Sequence, residues 1–210
     1  MVTGQRMDLE EFVRRWDALP DLKNAELVDG VVYVASPVAR SHGAPDVFFH
    51  TWLGVYSYRT TGLETVSNTS CQMVSSMPQP DAALRILPEY GGRTRIGRSW
   101  IDGPPDLIVE VSESSGPKRA FYERSRVSEY ITYEVATGRL TWRWLGPGGT
   151  YRVLKPEPDG SIRSRIFPGL WLDPKAIATN QSPLPMLAKG MRSPEYKEFR
   201  KLLRSRRRKP

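Results

Sequence analysis

The chain has 210 residues, of which 39% are hydrophobic and 10% aromatic, with one cysteine and a formal net charge of +8. This suits a soluble protein of one domain plus an appendage, while the lone Cys71 excludes an internal disulfide framework or a multi-cysteine zinc site. No apolar run nears the roughly 18–20 residues that span a bilayer, and "MVTGQRMDLEEF" lacks the pattern of a secretory signal, so a cytoplasmic setting without membrane contact is expected.

"MDLEEFVRRWDAL" spaces Leu9, Phe12, Val13, Trp16 and Leu19 at helical intervals and predicts a first helix. "AELVDGVVYVASP" reads as two short strands around an Asp29-Gly30 turn. A second helix is expected over about 42–60, with Val47, Phe48, Trp52 and Val55 on one face and Pro45 confining its start. "LETVSNTSCQMVS" is a strand region, and "MPQPDAALRIL" a turn entering another strand. The arginine-rich "EYGGRTRIGRSWIDGPP" reads as a loop, "DLIVEVS" as a strand, and 117–126 as a helix with proline in its first turn.

The stretch from Ser128 to Leu170 shows three or four strands between ATG, GPGG and EPDG turns, a meander by its spacing. Trp142 and Trp144 are two apart and face the same way, either into the core or toward stacked bases. The folded domain is expected to span 1–180, leaving 181–210 as a basic, partly disordered tail interrupted by a short helix at about 194–205. Residues 186–210 carry ten Lys/Arg and two Glu, so the whole net charge of +8 belongs to the tail. Such a segment solubilises, or neutralises phosphates through counterion release.

Glu110 interrupts the apolar "LIVEV", and a buried carboxylate must be paired, protonated or bound to a metal. Asp106 shares its strand face, but at about 13 Å it is too far to share an ion. A partner must come from a neighbouring strand about 4.8 Å away. Asp81, after Pro80, is the candidate if 81–87 pairs with 107–112. Two carboxylates, water and a backbone carbonyl suit Mg²⁺ or Mn²⁺, which orients an attacking water and neutralises charge on a phosphate. A nearby lysine would stabilise that charge further. In the plainer alternatives Glu110 pairs with an arginine of the 93–98 loop, Asp81 is a turn residue, and Asp106 is a strand-entry residue. The pattern is that of a PD-(D/E)XK nuclease site, with Pro80-Asp81 as the first part and Glu110-Val111-Ser112 as the second, serine standing where lysine belongs.

From about Met7 to Asp173 the chain resembles the Uma2 family of restriction-endonuclease-like proteins. "MDLEEFVRRW" resembles the family's opening helix, and "AELVDGVVYVASP" its "ELIDGELVVMSP", with His42 following as a histidine does there. "PDAALRI" and "PPDLIVEVSES" resemble its two acidic strands, and "FPGLWLD" its closing "FPGLxLD". "KRAFYERSRVSEYITYE" is similar to "KLALYARAGVPEYWLVD", with Lys118, Tyr122, Val127, Glu129 and Tyr130 at matching places. The resemblance implies an α/β fold with a mixed sheet and a restriction-endonuclease-like core, preceded by a helix and hairpin and followed by the meander. It also implies that the lysine has moved to the next helix as Lys118, with Asp81 and Glu110 as metal ligands. Glu26 could add a carboxylate, His42 could hold a water or phosphate, and Tyr122 could support the site. The family usually has an aspartate four residues before the lysine; here that position is Ser114, in a shortened connection where Glu113 is one residue out of step. Glu134 stands for the aspartate of "YWLVD".

The leading expectation is a Mg²⁺- or Mn²⁺-dependent endonuclease acting on DNA, its tail residues Arg204, Arg206, Arg207, Arg208 and Lys209 adding affinity for the duplex, and a homodimer if both strands are cut. The alternative is a catalytically degenerate nuclease fold that binds nucleic acid or a protein partner, which the shortened 112–117 connection motivates. A third reading is an RNA-associated protein bound mainly through "RKLLRSRRRK".

Overall fold

Asp8 caps the first helix, α1 (Leu9–Asp17), by accepting the Glu11 amide at 2.8 Å. The computed structural model describes residues 1–19, 21–22, 24–34, 40–112 and 118–207. Phe12 of α1 is buried with Ala25, Leu27, Val32 and Met77. Strands β1 (Ala25–Val28) and β2 (Val31–Val34) form the expected hairpin. At its tip Asp29 and Gly30 have φ of 50° and 74°, the left-handed pair that a type I′ hairpin turn requires.

Helix α2 (Arg40–Tyr58) begins five residues before Pro45, so the proline sits inside the helix and does not confine its start. Proline there forfeits one backbone bond near the helix beginning, and the buried face of Phe48, Phe49, Trp52, Leu53 and Tyr56 holds the element together. Next come β3 (Leu63–Ser67), β4 (Cys71–Gln72) and β5 (Ala82–Ile86). The segment read as a loop holds β6 (Arg95–Ile96) and β7 (Ile101–Asp102), which join β4 in a small sheet. Then follow β8 (Leu107–Ser112), α3 (Lys118–Arg124), β9 (Glu129–Glu134), β10 (Arg139–Leu145) and β11 (Tyr151–Val153).

The central six-stranded sheet has the order β11-β10-β9-β8-β5-β3. Strands β8 and β9 run parallel and are joined through α3; the other neighbours are antiparallel. Because β8 is covered on both faces, its sequence reads as a nearly unbroken apolar run. Leu107, Val109 and Val111 face α2, while Ile108 packs with Val28, Phe121, Tyr122 and Tyr130 under the hairpin and α3. Trp142 lies in the α2-side core, edge-on to Trp52 at 5.4 Å, and Trp144 packs against the same cluster. The tryptophan pair therefore belongs to the core and is not a platform for bases.

Glu129, at the start of β9, is fully buried and accepts four hydrogen bonds, from Trp142 Nε1, Ser164 Oγ and the amides of Arg165 and Ile166. It pins the 164–167 segment to the sheet. Burial pushes its carboxyl up to about 7 even though each of those bonds opposes the shift, so a perturbed acid in this fold is not by itself a site.

Beyond the three-strand meander, β12 (Ile162–Arg163) and β13 (Trp171–Leu172) form a separate ribbon. Helices α4 (Pro174–Ala178), α5 (Leu184–Gly190) and α6 (Pro194–Arg206) follow. Residue 180 is not where packing ends. Leu187, Tyr196, Phe199 and Leu203 are buried in the α2-side core, with Tyr196 5.8 Å from Tyr56 and Phe199 6.3 Å from Phe167 between ring centres. Tyr196, Phe199 and Leu203 recur at helical spacing and form an apolar stripe, while Lys197, Lys201, Arg204 and Arg206 point to water. The charge that suggested an unfolded tail is the outer face of a docked helix. Leu203→Ala is expected to cost about 2–5 kcal/mol, measured as the shift in urea-unfolding free energy; a loss below about 0.5 kcal/mol would place α6 outside the cooperative fold.

Candidate active site

The register that pairs Ala82 with Val109 and Ala83 with Ile108 sets Asp81 opposite Glu110 one step further along. Both acids then lie on the α3 side of the sheet, because side chains alternate along each strand. The Val111 amide donates to Asp81 Oδ2 at 2.6 Å, holding that carboxylate against β8 just beyond the last paired residues. Lys118 is the first residue of α3. Its ammonium donates to Glu110 Oε1 and Oε2 at 3.2 and 3.1 Å and contacts Glu26 Oε1 at 2.8 Å. One helical turn on, the Tyr122 hydroxyl donates to Glu110 Oε1 at 2.6 Å. Glu26 Oε2 accepts the Gln79 amide at 3.0 Å, tying the hairpin to the segment that leads into Asp81. Asp81, Glu110, Lys118, Glu26 and Tyr122, which the sequence places on five separate segments or turns, converge at one place.

Burial dominates the electrostatics. It pushes Asp81 up to about 6, with Asp46 and Glu26 adding to the rise and the Val111 amide and Lys118 opposing it. It pushes Glu110 up to about 7, with Lys118 opposing and Asp81 and Glu26 reinforcing. Burial alone would lower Lys118, but Glu110 and Glu26 together hold it above its ordinary value, so it stays an ammonium at neutral pH.

Asp46 is the acid that the sequence reading missed. It sits on α2, and its charge acts on Asp81. Its Oδ1 is buried without a hydrogen-bond partner, as is Nε2 of His50, whose Nδ1 lies 2.6 Å from the Asp46 carbonyl. His42 is one turn before Asp46 and acts on its charge, so it flanks the cluster. The readable signal was the spacing of His42, Asp46 and His50, four residues apart on one helical stripe.

Other candidates lie elsewhere. Asp106 Oδ2 accepts the Ile86 amide at 2.8 Å and its Oδ1 is 3.5 Å from Arg93, so Asp106, not Glu110, is the acid paired to the arginine-rich loop. Arg204, Arg206 and Arg207 lie on or just after α6, on the α2 side of the sheet. Arg206 packs beside Gly91, near the Ile86 end of β5. Asp81 flanks the other end, about 16 Å away at 3.3 Å per residue, so the structure does not bring these arginines to the acids. Arg208, Lys209, Glu113 and Ser114 lie outside the described residues.

Among the described residues no group of three or more His, Cys, Asp or Glu is placed to hold a metal ion. The donors that do converge, Asp81 and Glu110, are oxygens, desolvated and in excess over Lys118, with the unpartnered Asp46 Oδ1 nearby. An all-oxygen set of this kind fits a hard cation that keeps much of its water, as Mg²⁺ does.

A mixed sheet flanked by helices, with its acids at the end of a parallel β-α-β unit, defines an α/β protein of the restriction-endonuclease-like type. The Uma2 family model, described as "Putative restriction endonuclease", matches residues 9–175, and the chain belongs to that family. In fold it is similar to a crystal structure from Anabaena variabilis ATCC 29413 of "a putative nuclease belonging to DUF820". The TM-score is 0.59 at 14% identity, covering 87% of this chain and 98% of that one. No curated protein matches the chain. None of the helices is long and apolar enough to cross a membrane among the described residues.

Proposed function

We propose that the protein is a metal-dependent endonuclease that hydrolyses phosphodiester bonds of DNA. The observation that carries this reading is the opposition of Asp81 and Glu110 across β5 and β8, with the Lys118 ammonium bridging Glu110 and Glu26. Membership of a family described in endonuclease terms supports it. Asp81 and Glu110 would hold Mg²⁺ or Mn²⁺, which supplies charge neutralisation and an acidified water. Lys118 remains protonated, so its part is to donate to a phosphate oxygen as charge builds there and not to take a proton from water. Tyr122 and Glu26 aim Lys118 and Glu110 at each other.

A second reading is a nuclease fold that binds nucleic acid or a partner without catalysis. It is favoured by one feature: Lys118 already occupies the cationic place between Glu110 and Glu26. Supercoiled plasmid incubated with the protein separates the two. Nicking that needs Mg²⁺ or Mn²⁺ and stops with a chelator is expected; intact plasmid under both metals would leave the binding reading.

A further inference from the structure

Strand β10 places Arg143 on the same sheet face as Glu110. The row runs through Thr132, which is the register partner of Glu110 on one side and of Thr141 on the other. Arg143 lies two residues beyond Thr141, and its Nη1 donates to the Thr132 hydroxyl at 3.1 Å. Its guanidinium is thereby drawn to the side chain one strand over from Glu110, a backbone spacing of about 4.8 Å.

The charge of Glu134 acts on Arg143, but the two make no ion pair. That carboxylate, on the same face, is taken by Arg139 at 2.7 and 3.0 Å and by Thr137 at 3.1 Å. Among the described residues Arg143 makes no ion pair, and Arg119, the exposed neighbour of Lys118 on α3, adds a second positive charge that acts against it. Tyr130, on β9, feels both Glu110 and Arg143, so the two ends of this row share one electrostatic environment. A half-buried guanidinium set beside a like charge, with its neighbouring acid already bound to Arg139, is better balanced when an anion completes it. Guanidinium geometry suits phosphate oxygens.

We propose that Arg143, with Arg119 beside it, forms an oxyanion site that grips a backbone phosphate of the nucleic acid, leading the strand to the Asp81–Glu110–Lys118 cluster. This rests on the nuclease reading only for the anion being a phosphodiester. The site explains how a strand is held near the acids when the α6 arginines lie at the far end of the sheet. It is also distinct from the tail-based affinity that composition suggests.

The test is fluorescence anisotropy with a labelled DNA duplex and the full-length protein, in chelator and in Ca²⁺, so that no cleavage is needed. Arg143→Gln is expected to weaken binding about tenfold and to lower the slope of log K against log salt by about one. Arg143→Lys, which keeps the charge, should recover part of the loss. Arg163→Gln, whose guanidinium stacks 3.7 Å over Trp171, should bind as wild type. Thermal melting is recorded for each variant. Arg143→Gln binding within twofold of wild type would overturn the proposal. So would a loss that tracks lowered melting temperature and is equal in Arg143→Lys, or a wild-type protein with no affinity for the duplex. Plasmid nicking that persists unchanged in Arg143→Gln would leave the nuclease reading standing without this site, whereas Arg143-dependent binding without nicking would leave the site without the nuclease.

Discussion

Asp81→Ala is expected to reduce Mg²⁺- or Mn²⁺-dependent plasmid nicking by about 10²-fold or more, while leaving the fold intact. The size follows from what the carboxylate would hold in place: a divalent ion contributes several kcal/mol of charge stabilisation at a phosphate, and each 1.36 kcal/mol is about tenfold in rate. Asp81 is held by the Val111 amide, and it lies just outside the last paired residues of β5 and β8, so its removal spares the ladder. Glu110→Ala should lose activity to a similar degree, but it also frees Lys118 and Tyr122, so its melting temperature should fall more than that of Asp81→Ala. Equal nicking by wild type and Asp81→Ala would remove Asp81 from the reaction.

Lys118→Met carries the second large effect, on stability. The ammonium is shared by two acids, Glu110 and Glu26, and methionine would leave both without their cation. Breaking such a buried pair costs about 3–5 kcal/mol. The pH dependence follows from Glu110. Burial and its acidic neighbours hold it at about 7, against an ordinary value of 4.5, so the folded state binds the proton more tightly than the unfolded one. Stability from this group is therefore greatest below about 4.5 and falls as pH rises toward about 7. Without Lys118 the folded carboxyl would rise further, and the decline would continue to higher pH. Urea unfolding should thus give a larger deficit for Lys118→Met at pH 8.5 than at pH 5.5. The same deficit at both values, or a variant as stable as wild type, would mean that the ammonium does not offset these carboxylates.

Much of the site was legible because the chemistry broke a pattern. An acid inside "LIVEV" stands out only because β8 is covered on both faces, and the Pro80-Asp81 turn lies one strand away in the order. Lys118 could be reached only through family resemblance, since a lysine at a helix start looks like any solvated residue until Glu110 is seen beside it. Asp46 was legible only as one of the His42, Asp46 and His50 stripe, because its neighbour, Asp81, comes from a strand end 35 positions along the chain and no local spacing links the two acids. Arg143 was hidden for a related reason: its setting exists only where the β9–β10 ladder meets the β8–β9 ladder. The C-terminal segment misled through composition. Ten basic residues in 25 positions dominated the reading, although Tyr196, Phe199 and Leu203 recur with helical period and pack into the core. In the same way the small sheet of β4, β6 and β7 has strands of two residues each, too short to show any alternation.

The most direct measurement is the anomalous scattering of Mn²⁺ in crystals grown or soaked with the ion. One peak is predicted between the carboxylates of Asp81 and Glu110, within about 2.5 Å of an oxygen from each, and absent in crystals of Asp81→Ala. A peak that persists in that variant, a peak bound elsewhere, or clear density for the Lys118 bridge with no ion at saturating Mn²⁺ would contradict a shared cation and leave a nuclease fold without a metal centre.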